Sequence, residues 1–345
     1  MSVVAFNLAE VEPWVGEDWG RLICRAAWDE TPDVRSFLLA PEKPGRIPFA
    51  PGQFMTFRAE IDGAQAQRSY TISSSAAVER SVTITVKRKP GGVFSGWLHR
   101  TLEPGGAIDA MGPAGGFGLD RPGEKWLMVS AGSGVTPMAS SLRTCGDLGL
   151  DVDVVHVHCA RTLADVIYAE EWPWLPRRLP RMRTEVVPSD GGRGRLDAEK
   201  LASLVPDMAE RRVLCCGPEG FMADVRAWCL AAGVAEEAFA QESFDFSEPE
   251  PALVAESAPT RRVTFAKSGW SFEVAEGRTI LAAARLAGAP MPASCAKGMC
   301  GTCKTPKLSG EVAMTHQGGI RQREIDRGLI LPCCAYALTD VTLDR

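Results

Sequence analysis

A chain of 345 residues is longer than one ordinary domain and suits two or three, and its 45% hydrophobic content is enough for packed cores. A formal net charge of −5 argues against a general affinity for nucleic acid or for an anionic membrane. No run approaches the roughly eighteen apolar residues of a membrane span, and Met1–Glu10 has no basic patch leading into an apolar stretch. Neither membrane insertion nor a secretory signal is expected, and a cytoplasmic setting follows.

In chain order, residues 1–120 read as short strands broken by turns. Gln53–Ala59, Gln67–Ile72 and Val82–Lys87 are separated by clusters such as Pro41–Gly45 and Pro90–Gly92. Such alternation with frequent turn signals predicts an antiparallel β-barrel. Over 121–247 the grammar changes. Strands at Trp126–Ser130, Val152–Cys159, Arg183–Val187 and Arg212–Cys216 are each followed by helix-like sequence, the first by Thr136–Gly146. That order predicts an α/β domain with a parallel sheet. The stretch Asp245–Thr260 is rich in Pro, Glu and Ala, lacks Lys and Arg, and has no amphipathic period, so a linker is placed at 248–260. Residues 261–345 predict a hairpin (Arg262–Lys267, Trp270–Val274), a helix (Thr279–Leu286), a cysteine loop and two further strands, a small α+β module.

Eleven cysteines in a large chain with no expected secretory route point to metal binding or buried thiols before disulfides. Cys24, Cys145, Cys159, Cys215 and Cys229 are scattered in apolar or helical surroundings and read as buried thiols. Cys295-x4-Cys300-x2-Cys303, followed after twenty-nine residues by Cys333, is instead the spacing of plant-type [2Fe-2S] ligation. Two bridged irons need four converging thiolates; one loop supplies three, and the fourth comes from a neighbouring strand. Small residues in the loop (Ala296, Gly298, Gly301, Thr302) let backbone amides turn toward the sulfurs. Structural zinc would favour paired short spacings and often histidine. Cys334 is a competitor for the fourth position, but the register of LPCCAYALTDVTLD favours Cys333.

Ala131-Gly132-Ser133-Gly134-Val135-Thr136-Pro137 follows a strand and opens a helix, which suits a pyrophosphate lying against backbone amides at the positive helix end. Together with Arg68-Ser69-Tyr70-Thr71, VKRKPGGVFSGWLH, CGPEGFM and the cysteine spacing, in that order, it resembles the ferredoxin–NADP reductase superfamily. The likeness is to members with a C-terminal plant-type ferredoxin domain of β-grasp fold. Within that group the motifs look most like the reductase subunits of Rieske oxygenases acting on quaternary ammonium compounds of the glycine betaine or stachydrine type.

The resemblance implies FAD rather than FMN. Tyr70 would pack on the isoalloxazine, Thr71 approach flavin N5, and Arg68 meet the phosphates, with Ser69 between them. Val86, Lys87 and Arg88, then Gly91, Gly92, Val93, Phe94 and Ser95, would form the phosphate loop. Gly132, Ser133, Gly134 and Thr136 would hold the dinucleotide, Thr136 also near the flavin. Cys216, with Gly217 and Pro218, would lie beside the nicotinamide. Glu242 and Phe244 would border the flavin edge, and Arg161 the adenine ribose, without deciding NADH against NADPH. Tyr70, Thr71, Thr136 and Cys216 are thus the expected catalytic residues, and Cys295, Cys300, Cys303 and Cys333 the metal ligands.

A nicotinamide donates a hydride, a [2Fe-2S] cluster holds one electron, and flavin exchanges electrons with both. The four histidines form no C-x-H…C-x-x-H pattern, so any oxygen chemistry belongs to a partner, expected to be a Rieske-type oxygenase. Another acceptor (a hybrid-cluster protein, a di-iron epoxidase or a desaturase) and a non-enzymatic carrier or sensor are the alternatives. The C-terminal module, Arg261–Arg345, holds twelve Lys/Arg against seven Asp/Glu, so a basic face is expected to steer it, swinging on the linker.

Overall fold

The computed structural model describes Trp14, residues 19–190, 194–244 and 259–293, Ala296, Gly298, Gly301, residues 303–316, Ile320 and residues 322–345. The linker residues 248–258 and the expected ligands Cys295 and Cys300 lie outside the described residues.

The first body is an antiparallel sheet of β1 (Gly20–Thr31), β2 (Val34–Pro41), β3 (Phe54–Ile61), β4 (Ala64–Thr71), β5 (Val82–Lys87) and β6 (Ala107–Ala114), in the order β4-β3-β6-β1-β2-β5. A bridge between Ile72 and Ile84 draws its two ends together into a barrel. Between β3 and β4 the two-residue loop Asp62-Gly63 has both φ values positive, 51° and 78°, the hairpin geometry that matches strand twist. Phe37, Met55, Phe57, Ile84 and Leu98 fill the barrel. Helix α1 (Val93–Thr101) follows β5, where the sequence showed only a glycine loop.

The second body is a wholly parallel sheet of β7 (Lys125–Ala131), β8 (Asp153–Ala160), β9 (Met182–Pro188), β10 (Arg212–Cys216) and β11 (Phe239–Glu242). Its order, β11-β10-β7-β8-β9, reverses between β7 and β10, and ligands bind at such switch points beyond the strands' carboxyl ends. Helices α2 (Thr136–Asp147), α3 (Ala198–Leu204) and α4 (Glu219–Ala231) connect the strands, and separate apolar clusters bury the sheet's two faces.

The third body joins β12 (Thr260–Phe265), β13 (Ser271–Ala275), α5 (Ile280–Leu286), β14 (Thr305–Ser309), β15 (Val312–Met314), α6 (Gln322–Ile325), β16 (Leu329–Ile330), β17 (Ala335–Ala337) and β18 (Val341–Leu343). Its main sheet runs β13-β12-β18-β14-β16, with β12 and β18 parallel. Thr279 caps α5, accepting from the Ala282 amide at 3.3 Å. Five strands follow the cysteine loop rather than the two expected. They span two to five residues, too few for alternation to show in sequence. Thr260, placed in the linker by composition, already pairs with Ala275.

The barrel and the parallel sheet are joined by polar contacts that composition does not reveal. The buried hydroxyls of α2 reach barrel backbone: Ser140 donates to the Ser74 carbonyl at 3.0 Å, while Thr144 accepts from the Ala76 amide at 2.8 Å. Arg143 donates to the Ser73 carbonyl at 2.7 Å and to Glu171 at 2.9 Å. Tyr168, held at φ 60°, lies under the Arg143 guanidinium and donates to Thr85 at 2.6 Å.

On the face of β7 and β8 under Trp172, the Ser130 hydroxyl lies 3.1 Å from His156 Nε2 and 2.9 Å from His158 Nδ1, all fully buried. Burial holds both histidines below the usual imidazole value, His156 lower still beside His158, and His158 at about 4. The native state thus keeps them neutral while the unfolded chain protonates them near 6.5. Their contribution to stability is complete above that pH and is lost as pH falls toward 4, by up to about 3 kcal/mol for His158. Urea midpoints should therefore drop between pH 7 and pH 4.5, with a shallower drop in His158→Gln. Parallel pH profiles for the two proteins would contradict this.

Candidate functional site

Strand alternation divides the RSYT stretch. Arg68 and Tyr70 face the barrel interior alongside Phe57 and Met55, their cross-strand partners, whereas Ser69 and Thr71 point to the other side. The Tyr70 ring lies 6.1 Å from Phe57 and 6.2 Å from Phe94, which ties β4 to the start of α1. Burial pushes the Tyr70 phenol well above its usual value, with Arg68 opposing, so it stays neutral. A neutral aromatic edge beside a half-buried arginine suits an isoalloxazine with its phosphate tail.

The glycine loop leads into α1. Gly91 takes φ 70°, Gly92 is the N-cap, and the first turn carries no acidic residue. A side chain at Gly92 would come within 2.6 Å of Ser95 Oγ, so the loop closes tightly on the helix. The Ser95 hydroxyl, expected to face a phosphate, accepts from the Lys89 amide at 3.2 Å and lies 3.4 Å from the Gly92 carbonyl. Donors to a phosphate here would be the first-turn amides and the basic groups beside them. Lys87 is ion-paired with Asp33 at 3.4 Å, and the Arg88 amide donates to the Asp33 carbonyl at 2.7 Å, while the Val86 side chain is core. These residues fit an FAD pyrophosphate.

At the switch point, Gly132–Val135 forms a 3-10 turn running directly into α2, with Pro137 at its start. Gly132 takes φ 52°, and the Thr136 hydroxyl donates to the Ser133 carbonyl at 3.0 Å. A Cβ on Gly134 would stand 2.1 Å from the Cys216 carbonyl oxygen, and one on Gly217 2.8 Å from the Phe221 ring and 3.1 Å from Ala131. The glycine turn of β7 and the end of β10 thus meet backbone to backbone. Cys216 pairs with Ser130 on one side and with the buried Glu242 on the other. Burial, then Glu242 and Cys215, push the Cys216 thiol far up, so it is neutral and unionised. Phe244 packs against the same core. Gly132, Gly134, Thr136, Cys216, Gly217 and Glu242 converge, as a dinucleotide cradle requires. Arg161 stands apart at the end of β8, its exposed guanidinium 3.0 Å from Asp165 and 3.5 Å from Asp33.

In the third body, Cys303 precedes β14 and Cys333 lies in the turn before β17, both buried. Hydrogen bonding to the Cys303 thiol foremost, then to that of Cys334 and to the Gly298 amide, holds the Cys333 thiol below its usual range against the effect of burial. A buried thiol poised to ionise is what a metal cluster needs. Ala296, Gly298 and Gly301 all have positive φ, 52°, 73° and 73°. A side chain at Gly298 would come within 2.8 Å of the Cys334 sulfur, so Cys334 also lies against the loop. Sequence reasoning missed Arg143, Tyr168, Glu171 and Ser140, which join the barrel to the parallel sheet. No motif marks them.

The Gly134–Cys216 contact yields a direct test. Gly134→Ala must displace backbone at the switch point, costing roughly 1–3 kcal/mol of local packing. Its kcat/KM for the nicotinamide nucleotide in ferricyanide reduction should fall at least tenfold while FAD content and the cluster's EPR signal persist. A wild-type kcat/KM would contradict the cradle.

Comparison with known proteins assigns a domain type to each of the three bodies. Residues 25–118 match the oxidoreductase FAD-binding domain, 128–227 the oxidoreductase NAD-binding domain, and 263–338 the 2Fe-2S iron-sulfur cluster binding domain. The chain is 38% identical over 368 aligned positions, covering 100% of both chains, to the glycine betaine monooxygenase reductase subunit of Pseudomonas aeruginosa. It is 35% identical, over 94% of its length and 96% of the other's, to the stachydrine N-demethylase reductase subunit of Rhizobium meliloti. The fold matches phthalate dioxygenase reductase with a TM-score of 0.62 at 24% identity, covering 95% of this chain and 98% of that one. The chain belongs to the family of reductases that join an FAD-binding barrel, an NAD-binding parallel sheet and a plant-type [2Fe-2S] domain in one polypeptide, and it is an NAD(P)H-dependent flavin iron–sulfur oxidoreductase.

Proposed function

We propose that this chain is the reductase component of a Rieske non-haem iron oxygenase that demethylates or hydroxylates a quaternary ammonium substrate of the betaine type. The observation that carries the reading is end-to-end similarity, through all three domains, to reductase subunits of a glycine betaine monooxygenase and a stachydrine N-demethylase. The domains run 1–120, 121–247 and 260–345, with 248–259 as linker, the boundary read at 261 moving to Thr260 because that residue pairs in β12. FAD is held by the strand Arg68–Thr71, through the side chains of Arg68 and Tyr70, together with Val86–Arg88 and Gly91–Ser95, and the nicotinamide nucleotide by Gly132–Gly134, Thr136 and Cys216–Pro218. Glu242 and Phe244 close the flavin edge, and the cluster is held by Cys295, Cys300, Cys303 and Cys333. The described residues contain no helix long and apolar enough to cross a membrane, and the working site is the cytoplasm, where the nucleotide pool is.

When bound, the flavin accepts a hydride and releases its electrons singly. The protein orients rather than exchanges protons: Tyr70 supplies an aromatic wall, the glycine turn fixes the dinucleotide, and the un-ionised Cys216 adds no charge near the nicotinamide. Arg161, already paired with Asp165 and Asp33, supplies little free charge for a 2′-phosphate, so NADH is the preferred donor.

Reconstitution tests both parts. With a Rieske-type oxygenase of the betaine class and glycine betaine or stachydrine, NADH oxidation should couple to formaldehyde release, with kcat/KM for NADH above that for NADPH. Electron delivery to a hybrid-cluster protein or a di-iron epoxidase but to no Rieske oxygenase would overturn the partner, and a higher kcat/KM for NADPH would overturn the donor.

A further inference from the structure

The side of β4 that faces away from the barrel interior would ordinarily meet water, yet here it is covered. Ser69 is paired across the sheet with Thr56, and Thr56 in turn with Met111 on β6. Thr56, Gln67, Ser69 and Met111 are all less than a tenth exposed. The third body lies against this surface. Ser69 donates to the Ala293 carbonyl at 2.7 Å, and the Thr56 hydroxyl lies 2.9 Å from the Ser69 hydroxyl. Arg345, the last residue, donates through Nε to the Pro290 carbonyl at 2.8 Å and places Nη2 3.8 Å from the Met111 sulfur.

The position of this contact gives it meaning. Ser69 stands between Arg68 and Tyr70 on the flavin strand, and Ala293 is two residues before Cys295, the first expected cluster ligand. One buried hydrogen bond therefore joins the strand that walls the flavin to the loop that carries the cluster. Alternation excludes the same hydroxyl from the face that Tyr70 presents, so its use here does not compete with ring packing.

We propose that Ser69 is a positioning residue for the internal electron step: its hydroxyl, steadied by Thr56, fixes the cluster loop against the flavin strand, and Arg345 is the second anchor. The step is passage of one electron from the flavin, reduced by the nicotinamide's hydride, to the oxidised cluster, and no covalent bond forms or breaks. The docked arrangement is also separable. Both ends of the buried Gln67 amide, on the same side of β4, lack a partner among the described residues. When the module leaves, water hydrates that amide, which offsets the breaking of the Ser69–Ala293 hydrogen bond. The module can dock for the internal step and leave to meet an acceptor.

The basic face expected from the sequence includes Lys304, Lys307, Arg321 and Arg323. Lys304 is paired with Glu324 at 2.8 Å and Lys307 donates to the Gly310 carbonyl at 2.6 Å, so both are engaged within the module. Arg321 lies outside the described residues. The docking contacts described above are the Ser69 hydroxyl on the Ala293 carbonyl and the Arg345 guanidinium beside the Met111 thioether.

The test uses the holoprotein without any oxygenase, so its outcome is separate from that of the partner assignment. Wild type, Ser69→Ala, Ser69→Thr and Arg345→Ala are mixed with excess NADH anaerobically, with flavin bleaching followed by absorbance and cluster reduction by rapid-freeze EPR. Relative to flavin bleaching, cluster reduction should slow about two- to tenfold in Ser69→Ala, the change expected for one net hydrogen bond. Arg345→Ala should slow it in the same sense, and Ser69→Thr should restore it. An unchanged ratio in both alanine variants, or a threonine variant as slow as alanine, would overturn the proposal. Loss of FAD from Ser69→Ala with cluster transfer intact in Arg345→Ala would also overturn it, by assigning the hydroxyl to the flavin.

Discussion

Successive side chains of a strand point to opposite sides, and in β4 that rule sets two interfaces with one short segment. Arg68 and Tyr70 turn inward to the aromatic group of Phe57 and Phe94, where a planar ring has a wall. Ser69 turns outward to Ala293 and the cluster-bearing module. A slip of one residue in the β3–β4 register would exchange these faces and lose both. The two-residue Asp62-Gly63 hairpin, which sets that register, therefore keeps both faces in place.

The nucleotide side meets a comparable restriction in backbone rather than side chains. Its turn and the end of β10 are pressed together at Gly134 and Cys216. The helix leaving that turn then fastens itself to the barrel through Ser140 and Thr144, while Arg143 and Tyr168 bind the same junction from the side. The dinucleotide cradle is thus rigidly referred to the flavin barrel. Hydride transfer requires reacting atoms held in close register, and a rigid junction favours that. Among the described residues the third body meets the barrel through polar contacts at Ser69–Ala293 and Arg345–Met111, and the segment that precedes it is proline-rich in composition.

How much of this was legible in the sequence depended on what kind of signal each feature leaves. Spacing signals survive well: the cysteine pattern, the glycine turn after β7 and the β–α alternation each fixed an element or a site, since they reflect local backbone requirements. Bounds were close where strands are apolar and long, as at Val82–Lys87 and Arg212–Cys216, both found as read. The short strands after the cysteine loop and the four-residue β11 leave no period to read. Helix α1 was hidden behind the glycines that cap it. The roles of Ser69, Ser140, Tyr168 and Arg345 were out of reach for a different reason. Each acts through a partner dozens to hundreds of residues away, and a single serine or arginine carries no mark of which distant carbonyl it will meet.

The central claim is that electrons enter as a hydride at the flavin and leave singly through the cluster, with no other route between nucleotide and iron. Anaerobic titration with NADH, followed by flavin absorbance and cluster EPR in the same sample, addresses this most directly. The account predicts that the reduced-cluster signal grows only as the flavin is reduced, and that it is absent from protein stripped of flavin but still carrying the cluster. Reduction of the cluster by NADH in flavin-free protein, or a fully reduced flavin beside a cluster that stays oxidised, would contradict it.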